Sequence, residues 1–417
     1  LRVFDGMPPA EWVSKQTAAG LNWLFGLSPL SLRVDERTVG LFVVFAPPCL
    51  IAFAFADRPL RFGLAVLGIL FIHHYTMGVN KATVANARSY FGVLRVWDDR
   101  PVLDYGNGEV EVRMRVLGHG TTVHGRQFLS NAPGYDGSAI DEPLTYYHRH
   151  GPVGDLFRDT LTRHRDARVG AIGLGTGSVS AYVGGGQSIT FYEIDPMVKR
   201  LVDNQPGDDG YFSYLGRARE RGAAVDFVFG DARLTLARQS DRRFHLLIVD
   251  AFTSDAIPIH LLTVEAMRVY ADRITDDGLI AVHVSNRYLR LEPVVAAIAE
   301  KCGLTCRERT DDCEEVRHGR SVSKWGVAPG RTSCTWIVLS KSAARLDPEY
   351  TTFAEPGATA VLGGTAAAQT RWVEIPTHPG VDAWTDDYAS VPQVIRSKEF
   401  QWFRQKLGFT VHPDLDK

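Results

Sequence analysis

The feature that most constrains this chain is an alternation of short apolar runs with helical stretches after residue 152. Five runs are apolar or β-branched, at 168–172, 188–193, 225–229, 245–250 and 279–285. Parallel strands are buried on both faces and are joined by helical crossovers. The alternation therefore predicts a mostly parallel sheet covered by helices, the α/β doubly wound class, and a further strand is expected at 334–341.

A second kind of pattern precedes this sheet, in residues 89–127. Apolar and polar residues alternate there with a period of two, and glycines and an Asp-Asp pair interrupt the alternation. Such a pattern predicts a small antiparallel β unit. We divide the chain accordingly into an N-terminal segment (1–38), an apolar segment (39–80), a small β domain (81–150) and the α/β domain (151–417).

The apolar segment contains two charge-free runs, 39–56 and 62–80, joined by the loop DRPLR. Each run is just long enough to cross a bilayer, because a transmembrane helix needs about 20 apolar residues. The runs predict a transmembrane hairpin embedded in membrane lipid, although two buried helices of a large core give the same pattern. Basic residues are slightly more numerous after the second run than in the loop, which predicts a main domain facing the cytoplasm.

Composition excludes some classes of function. The chain has 417 residues, is 45% hydrophobic and carries a formal net charge of −2, so nothing predicts a nucleic-acid partner. Its five cysteines match no zinc spacing and are too few for a disulfide scaffold, and we expect reduced thiols.

The stretch GLGTG, residues 173–177, follows the first run of the α/β domain. A dinucleotide fingerprint would place its third glycine at position 178, which is Ser178 here. Glu193 ends the next run, twenty residues after Gly173. An ionised carboxylate accepts hydrogen bonds only, so one at this place suits the two hydroxyls of a ribose.

Acidic residues also end the third and fourth runs. Asp231 is placed to accept a hydrogen bond from an adenine amino group, and Asp250 to lie at the floor of the same crevice. Asp231 also fits a helix cap, and so does Asp195 before Pro196. A glycine loop followed by three acids, without a P-loop lysine, favours S-adenosylmethionine or a relative. The positive sulfonium of such a ligand suits an acid-lined cleft.

Ordered motifs from about residue 89 to residue 394 make the chain resemble the polyamine aminopropyltransferases, or spermidine synthases, and in particular bacterial membrane proteins that carry such a domain. The motifs are SYFGVLRV, HGTTVHGRQ, DEPLTYYHRHGPVGD, GLGTG, YEIDP, GDARLTLA, VDAFTSDAIPIHLLT, HVSNRYL and WTDDYASV. The resemblance implies a small β domain before a Rossmann-like, methyltransferase-type domain, assembled as a homodimer. It also implies a bacterial inner-membrane location.

The resemblance further implies roles for individual residues. Decarboxylated S-adenosylmethionine, or S-adenosylmethionine itself, would be bound as co-substrate by Gly173, Gly175, Thr176, Gly177, Glu193, Ile194, Asp231, Ala232 and Gln127. Asp250 would be the catalytic acid-base residue, assisted by Asp255 and Tyr147. The amine substrate would be bound by Tyr147, His148, Asp386 and Asp387, although Asp386 and Asp387 equally fit a loop or helix cap. The sulfonium is already activated, so we expect no metal.

The chain departs from the family on the amine side. Thr176 stands where the family has an aspartate that pairs with the amino end of the donor, and a threonine cannot form that ion pair. Arg149 replaces the acid of the family's YHE stretch, and Asp255 is shifted by two residues. The adenosine side keeps its motifs.

Three functions follow from these observations. The first is transfer of an aminopropyl group to an amine such as putrescine, releasing methylthioadenosine. The second is another reaction of S-adenosylmethionine, either methyl transfer or cleavage and cyclisation at the C–S bond. The third is a non-catalytic nucleoside sensor of a membrane transporter, against which the presence of Asp250 argues.

Overall fold

The computed structural model of the chain describes residues 49–50, 53–55, 57–79, 82–104, 109–120, 122–130, 139–250, 258–286, 289–312, 314–317, 320–323, 330–346, 372–375 and 380–395. The chain forms two compact units, Leu1–Ala82 and Thr83–Lys417.

The first unit contains helix α1, Pro59–Val79, which covers most of the second predicted apolar run. Most of the first run lies outside the described residues. In the part of the chain that the structure describes, no helix meets the length and apolarity needed to cross a membrane. The described residues therefore contain no membrane-crossing helix of the predicted pair.

The second unit begins with a four-stranded sheet, which confirms the predicted small antiparallel unit. Its strands are β1 (Ala82–Ser89), β2 (Gly92–Asp99), β5 (Met114–His119) and β6 (Thr122–Phe128), in the order β1-β2-β5-β6. Strand β5 pairs antiparallel with both neighbours. A two-stranded ribbon, β3 (Val102–Asp104) and β4 (Glu109–Glu111), lies between β2 and β5 in sequence. Alternation buries Leu94 and Val96 and leaves Arg95 exposed, as the period of a strand requires.

A seven-stranded sheet forms the centre of the unit. Its strands are β7 (Arg168–Ile172), β8 (Ser188–Glu193), β9 (Ala224–Phe229), β10 (Phe244–Val249), β11 (Ile274–His283), β12 (Thr305–Asp311) and β15 (Cys334–Ser340). The order is β12-β15-β11-β10-β7-β8-β9. Strands β8, β9, β7, β10 and β11 pair in parallel, and β15 runs antiparallel between β11 and β12. This is a Rossmann-like sheet of the methyltransferase type, as predicted.

Helices cover both faces of this sheet. They are α2 (Pro152–Arg163), α3 (Pro196–Val202), α4 (Tyr214–Glu220), α5 (Ala232–Arg238), α6 (Val264–Asp272) and α7 (Glu292–Lys301). Alternate residues of β10 enter different cores: Leu246 and Ile248 pack in one, Leu247 and Val249 in the other. Since successive strand residues face opposite sides of a sheet, the two cores lie on its two faces. A separate ribbon is formed by β13 (Glu314–Arg317) and β14 (Arg320–Ser323).

The strand order places a switch point between β7 and β10. From β7 the chain proceeds outward through β8 and β9, and then returns to add β10 on the other side of β7. Loops at the carboxyl ends of such strands diverge and open a crevice between them. The glycine loop follows β7 and Asp250 follows β10, so both lie at this crevice.

Candidate functional site

A cavity of about 280 Å³ opens at the switch point. One part of its wall is formed by the carboxyl ends of β7, β8, β9 and β10, and another part by residues of the small sheet. Pockets of this kind at the strand ends of an α/β sheet are the usual ligand sites of the fold. Three of the acids predicted from successive strand ends, Glu193, Asp231 and Asp250, line this one cavity.

The glycine loop is folded tightly against the small sheet. Gly173, Gly175 and Gly177 have φ angles of 95°, 53° and 76°, a region that favours glycine. A Cβ at residue 175 would lie 2.8 Å from the carbonyl oxygen of His124. Gly173 and Gly175 line the cavity, whereas Gly177 precedes the short 3₁₀ helix Ser178–Tyr182. The loop therefore joins the two parts of the wall.

Replacing Gly175 with Ala is expected to destabilise the protein by about 2–3 kcal/mol, because a left-handed backbone and a close contact combine at this residue. Gly207 is the matched control, since its φ is 95° but a Cβ there meets nothing within 4 Å. Thermal melting and titration with methylthioadenosine should show a smaller loss of stability and unchanged binding for Gly207→Ala. Equal effects of the two substitutions would contradict the close approach to His124.

Glu193 ties the end of β8 to the glycine loop. One of its carboxylate oxygens accepts a hydrogen bond from the backbone N–H of Leu174, and the other accepts from that of Asp195, each at 2.9 Å. Burial raises the pKa of Glu193, although these backbone bonds oppose the rise. A carboxylate offers about four acceptor positions. The backbone N–H of Ile194 also bonds to Glu193, so one position remains for a ligand hydroxyl.

Asp231 begins helix α5 and has two partners. Oδ1 accepts from the backbone N–H of Leu234 at 2.9 Å, and Oδ2 lies 2.9 Å from Nε2 of His260. Asp231 is therefore the helix cap that the sequence allowed, and it also lines the cavity. Ile194 and Ala232 line the same end, and Ile194 is 43% exposed. Their apolar surfaces suit a flat heterocycle.

Asp250 is buried at the cavity floor. Oδ1 lies 2.8 Å from Nδ1 of His283, and Oδ2 accepts a hydrogen bond from the hydroxyl of Tyr147. Burial alone would raise the pKa of Asp250. The charge of His283 and hydrogen bonds from His283, Tyr147 and Tyr146 outweigh it and hold the pKa below its ordinary value of 3.8. The carboxylate thus stays ionised at neutral pH.

Aromatic rings pack around this carboxylate. His283 stacks on Tyr146 with ring centroids 4.3 Å apart and on Trp336 at 4.8 Å. Burial and the charge of Asp250 hold the pKa values of Tyr146 and Tyr147 well above 10. Both phenols remain protonated and act as hydrogen-bond donors. The cluster fixes the direction of the Asp250 carboxylate.

The wall from the small sheet is apolar and carries two imidazoles. Phe91, Leu94 and Leu117 line it together with His119 and His124. Nε2 of His119 lies 2.8 Å from the carbonyl oxygen of Phe91, so this nitrogen is the donor. Burial lowers the pKa of His124, with the nearby His119 adding to the effect and Asp250 opposing it.

Several residues with predicted roles lie outside the cavity lining. Gln127 is buried and bonds through its amide to Ser213 and to the carbonyl of Ile140. Thr176 is 1% exposed and packs against Gly125. Both residues fasten the small sheet to the α/β domain.

The residues predicted to bind the amine are dispersed. His148 is buried, with Nε2 3.6 Å from Glu142, and burial holds its pKa well below the ordinary value. Asp386 forms a two-pronged ion pair with Arg233 at 2.6 and 2.7 Å, and Asp387 is exposed. Tyr147 alone of this group contacts Asp250. Asp255 lies outside the described residues.

Several polar or aromatic residues of the site carried no sequence-based role, among them His119, His124, Tyr146, His260 and His283. Two of them lie in the motif HGTTVHGRQ, in which only Gln127 was singled out. His283 begins the motif HVSNRYL at the end of β11. Strand β11 pairs with β10, the strand that Asp250 follows. Applying the strand-end rule to β11 would therefore have identified His283 from the sequence.

No family model and no curated protein matches the chain. Among solved structures, a probable spermidine synthase from Corynebacterium glutamicum is 13% identical, with 73% of this chain and 97% of that one covered and a TM-score of 0.43. A spermidine synthase from Thermotoga maritima is 14% identical, with 66% and 79% covered and a TM-score of 0.40. A TehB-like SAM-dependent methyltransferase from Corynebacterium glutamicum is 16% identical, with 45% and 88% covered and a TM-score of 0.27. Likeness at this level assigns no role to any residue.

Proposed function

We propose that the protein transfers the aminopropyl group of decarboxylated S-adenosylmethionine to an amine and releases methylthioadenosine. The observation that carries the proposal is that one cavity contains the carboxylates of both Glu193 and the buried Asp250. A nucleoside held by the first carboxylate would direct its sulfonium towards the second.

The charges of the site favour such a pair of substrates. The donor is a sulfonium cation, and the amine acceptor is an ammonium at neutral pH, since the pKa of an alkylammonium group in water is about 10.4. Asp250 stays ionised because of its low pKa and attracts both. Its orientation is fixed by His283 and Tyr147, so it holds the amine in one place.

Catalysis then depends mainly on alignment. The amine nitrogen attacks the methylene carbon beside sulfur, the C–S bond breaks, and its electron pair stays on sulfur as a neutral thioether. Holding two reactants in line removes much of the entropic barrier of a bimolecular reaction. The rigid cluster around Asp250 supplies this alignment on the acceptor side.

A second candidate is a reaction of intact S-adenosylmethionine, either methyl transfer or C–S cleavage. The observation that favours it is the nature of the small-sheet wall, which presents imidazoles and apolar groups. The described residues of this wall include no carboxylate that could bind the second ammonium of a diamine.

A product assay separates the two candidates. Purified protein is incubated with S-adenosylmethionine or with its decarboxylated form, each with and without putrescine, and products are identified by mass spectrometry. We expect spermidine and methylthioadenosine only from the decarboxylated donor with putrescine. Methylthioadenosine formed from intact S-adenosylmethionine without an amine would instead support C–S cleavage.

Three further expectations stay predictions from the sequence. They are attachment to the bacterial inner membrane through residues 39–80, a catalytic domain on the cytoplasmic side, and assembly as a homodimer. Protease access in inside-out vesicles tests the orientation, because a shielded domain would contradict it.

A further inference from the structure

The small-sheet wall contains an imidazole that the proposed reaction has not yet used. His124 lines the cavity on strand β6, and its backbone lies directly against the glycine loop at Gly175. Its Nε2 atom is buried, and no described residue forms a hydrogen bond with it. A buried polar atom without a partner costs free energy, which a ligand can recover by bonding to it.

The surroundings of His124 include few other titratable groups. His119 on β5 lies with its ring centroid 5.8 Å away, and Asp250 after β10 is close enough for its charge to act on the imidazole. The glycine loop on the third side contributes no titratable side chain. His124 and Asp250 thus line the same cavity, and the charge of Asp250 acts on the imidazole.

We propose that His124 is the proton acceptor for the incoming amine, while Asp250 holds that amine as an ammonium. The inference rests on the proposed function. One N–H proton of the ammonium passes to the imidazole, and the freed nitrogen lone pair forms the new N–C bond as the C–S bond breaks. The electron pair of the C–S bond remains on sulfur, and the imidazolium later releases its proton to water.

Acidity distinguishes the two bases. A general base works best when its pKa lies near the working pH. The pKa of Asp250 lies below 3.8. Proton transfer from an ammonium to this carboxylate therefore has an unfavourable free energy. Burial holds the pKa of His124 below 6.5, which keeps the imidazole neutral at pH 7 and still leaves it the stronger base.

The test is the pH dependence of aminopropyl transfer in His124→Gln. Glutamine keeps hydrogen-bonding groups but cannot accept the proton, so we expect kcat to fall by about 10²- to 10⁴-fold. In the wild type, log(kcat/KM) should steepen as pH falls through the His124 pKa, because the imidazole becomes protonated. This break should be missing from the variant, and added imidazole should restore part of its rate.

His119→Gln is the matched control, with the same substitution on the neighbouring strand. It should keep the break in the pH profile and should not respond to imidazole. Binding of methylthioadenosine to His124→Gln should stay within about threefold of the wild type, which separates chemistry from folding.

Two outcomes would overturn the inference. If the wild type transfers no aminopropyl group, the proposed function fails and the assignment of His124 fails with it. If the wild type is active and His124→Gln keeps both its rate and its pH break, only the role of His124 is wrong.

Discussion

Asp250→Asn is expected to lower kcat by about 10³-fold or more and to leave the affinity for methylthioadenosine within about threefold. The expected loss follows from the chemistry of the site, in which a fixed negative charge aligns a cationic amine with a sulfonium. Asparagine has nearly the same shape but no charge. It also presents an NH₂ group to Tyr147 or His283, both of which direct donors at the carboxylate.

Stopped assays of methylthioadenosine release and calorimetric titration with methylthioadenosine measure the two effects separately. Asp277→Asn is the control, because Asp277 lies near the amino end of β11 and pairs with His164. We expect its kcat within about twofold of the wild type. Equal losses of turnover and nucleoside affinity in Asp250→Asn would contradict the role of Asp250 at the reacting centre.

Glu193→Gln is expected to weaken methylthioadenosine binding by about 100-fold. The carboxylate accepts backbone hydrogen bonds from Leu174 and Asp195 and still has an acceptor position for ribose. Glutamine replaces one of the two carboxylate oxygens by an NH₂ group. This group is a donor and would face a backbone N–H, which is also a donor. The glycine loop then loses its anchor, and leaving a buried donor unpaired costs about 1–3 kcal/mol.

The measurement is a titration with methylthioadenosine, accompanied by thermal melting. Glu220→Gln makes the same chemical change at an exposed residue at the end of α4 and should bind as the wild type does. Acidification should also weaken binding, because it protonates Glu193. Burial raises the pKa of Glu193, so we expect this loss at a higher pH than for an exposed glutamate. Unchanged affinity in Glu193→Gln would exclude this acid from ribose binding.

The strand-end residues of the site were predictable because one rule of the fold places them. Carboxyl ends of parallel strands meet at one edge, so the glycine loop, Glu193, Asp231 and Asp250 converge once the strands are recognised. The same rule applied to the fifth strand would have added His283. The site residues named from the sequence thus make up seven of the 22 described residues that line the cavity.

The part of the wall from the small sheet was not predictable from periodicity. His119 and His124 belong to a separate antiparallel sheet, and nothing local states which of its faces meets the parallel sheet. Thr176 illustrates the same limit. Its place in the glycine loop suggested contact with the donor, but the turn directs its side chain towards Gly125. Hydropathy alone also predicted a membrane-crossing pair that the described residues do not show.

The most direct test of the account is a crystal structure of the protein with methylthioadenosine. We predict a ribose hydroxyl within hydrogen-bond distance of Glu193, adenine between Ile194 and Ala232 with its amino group at Asp231, and sulfur directed towards Asp250. A nucleoside bound in the reverse direction, or bound outside this cavity, would contradict the account.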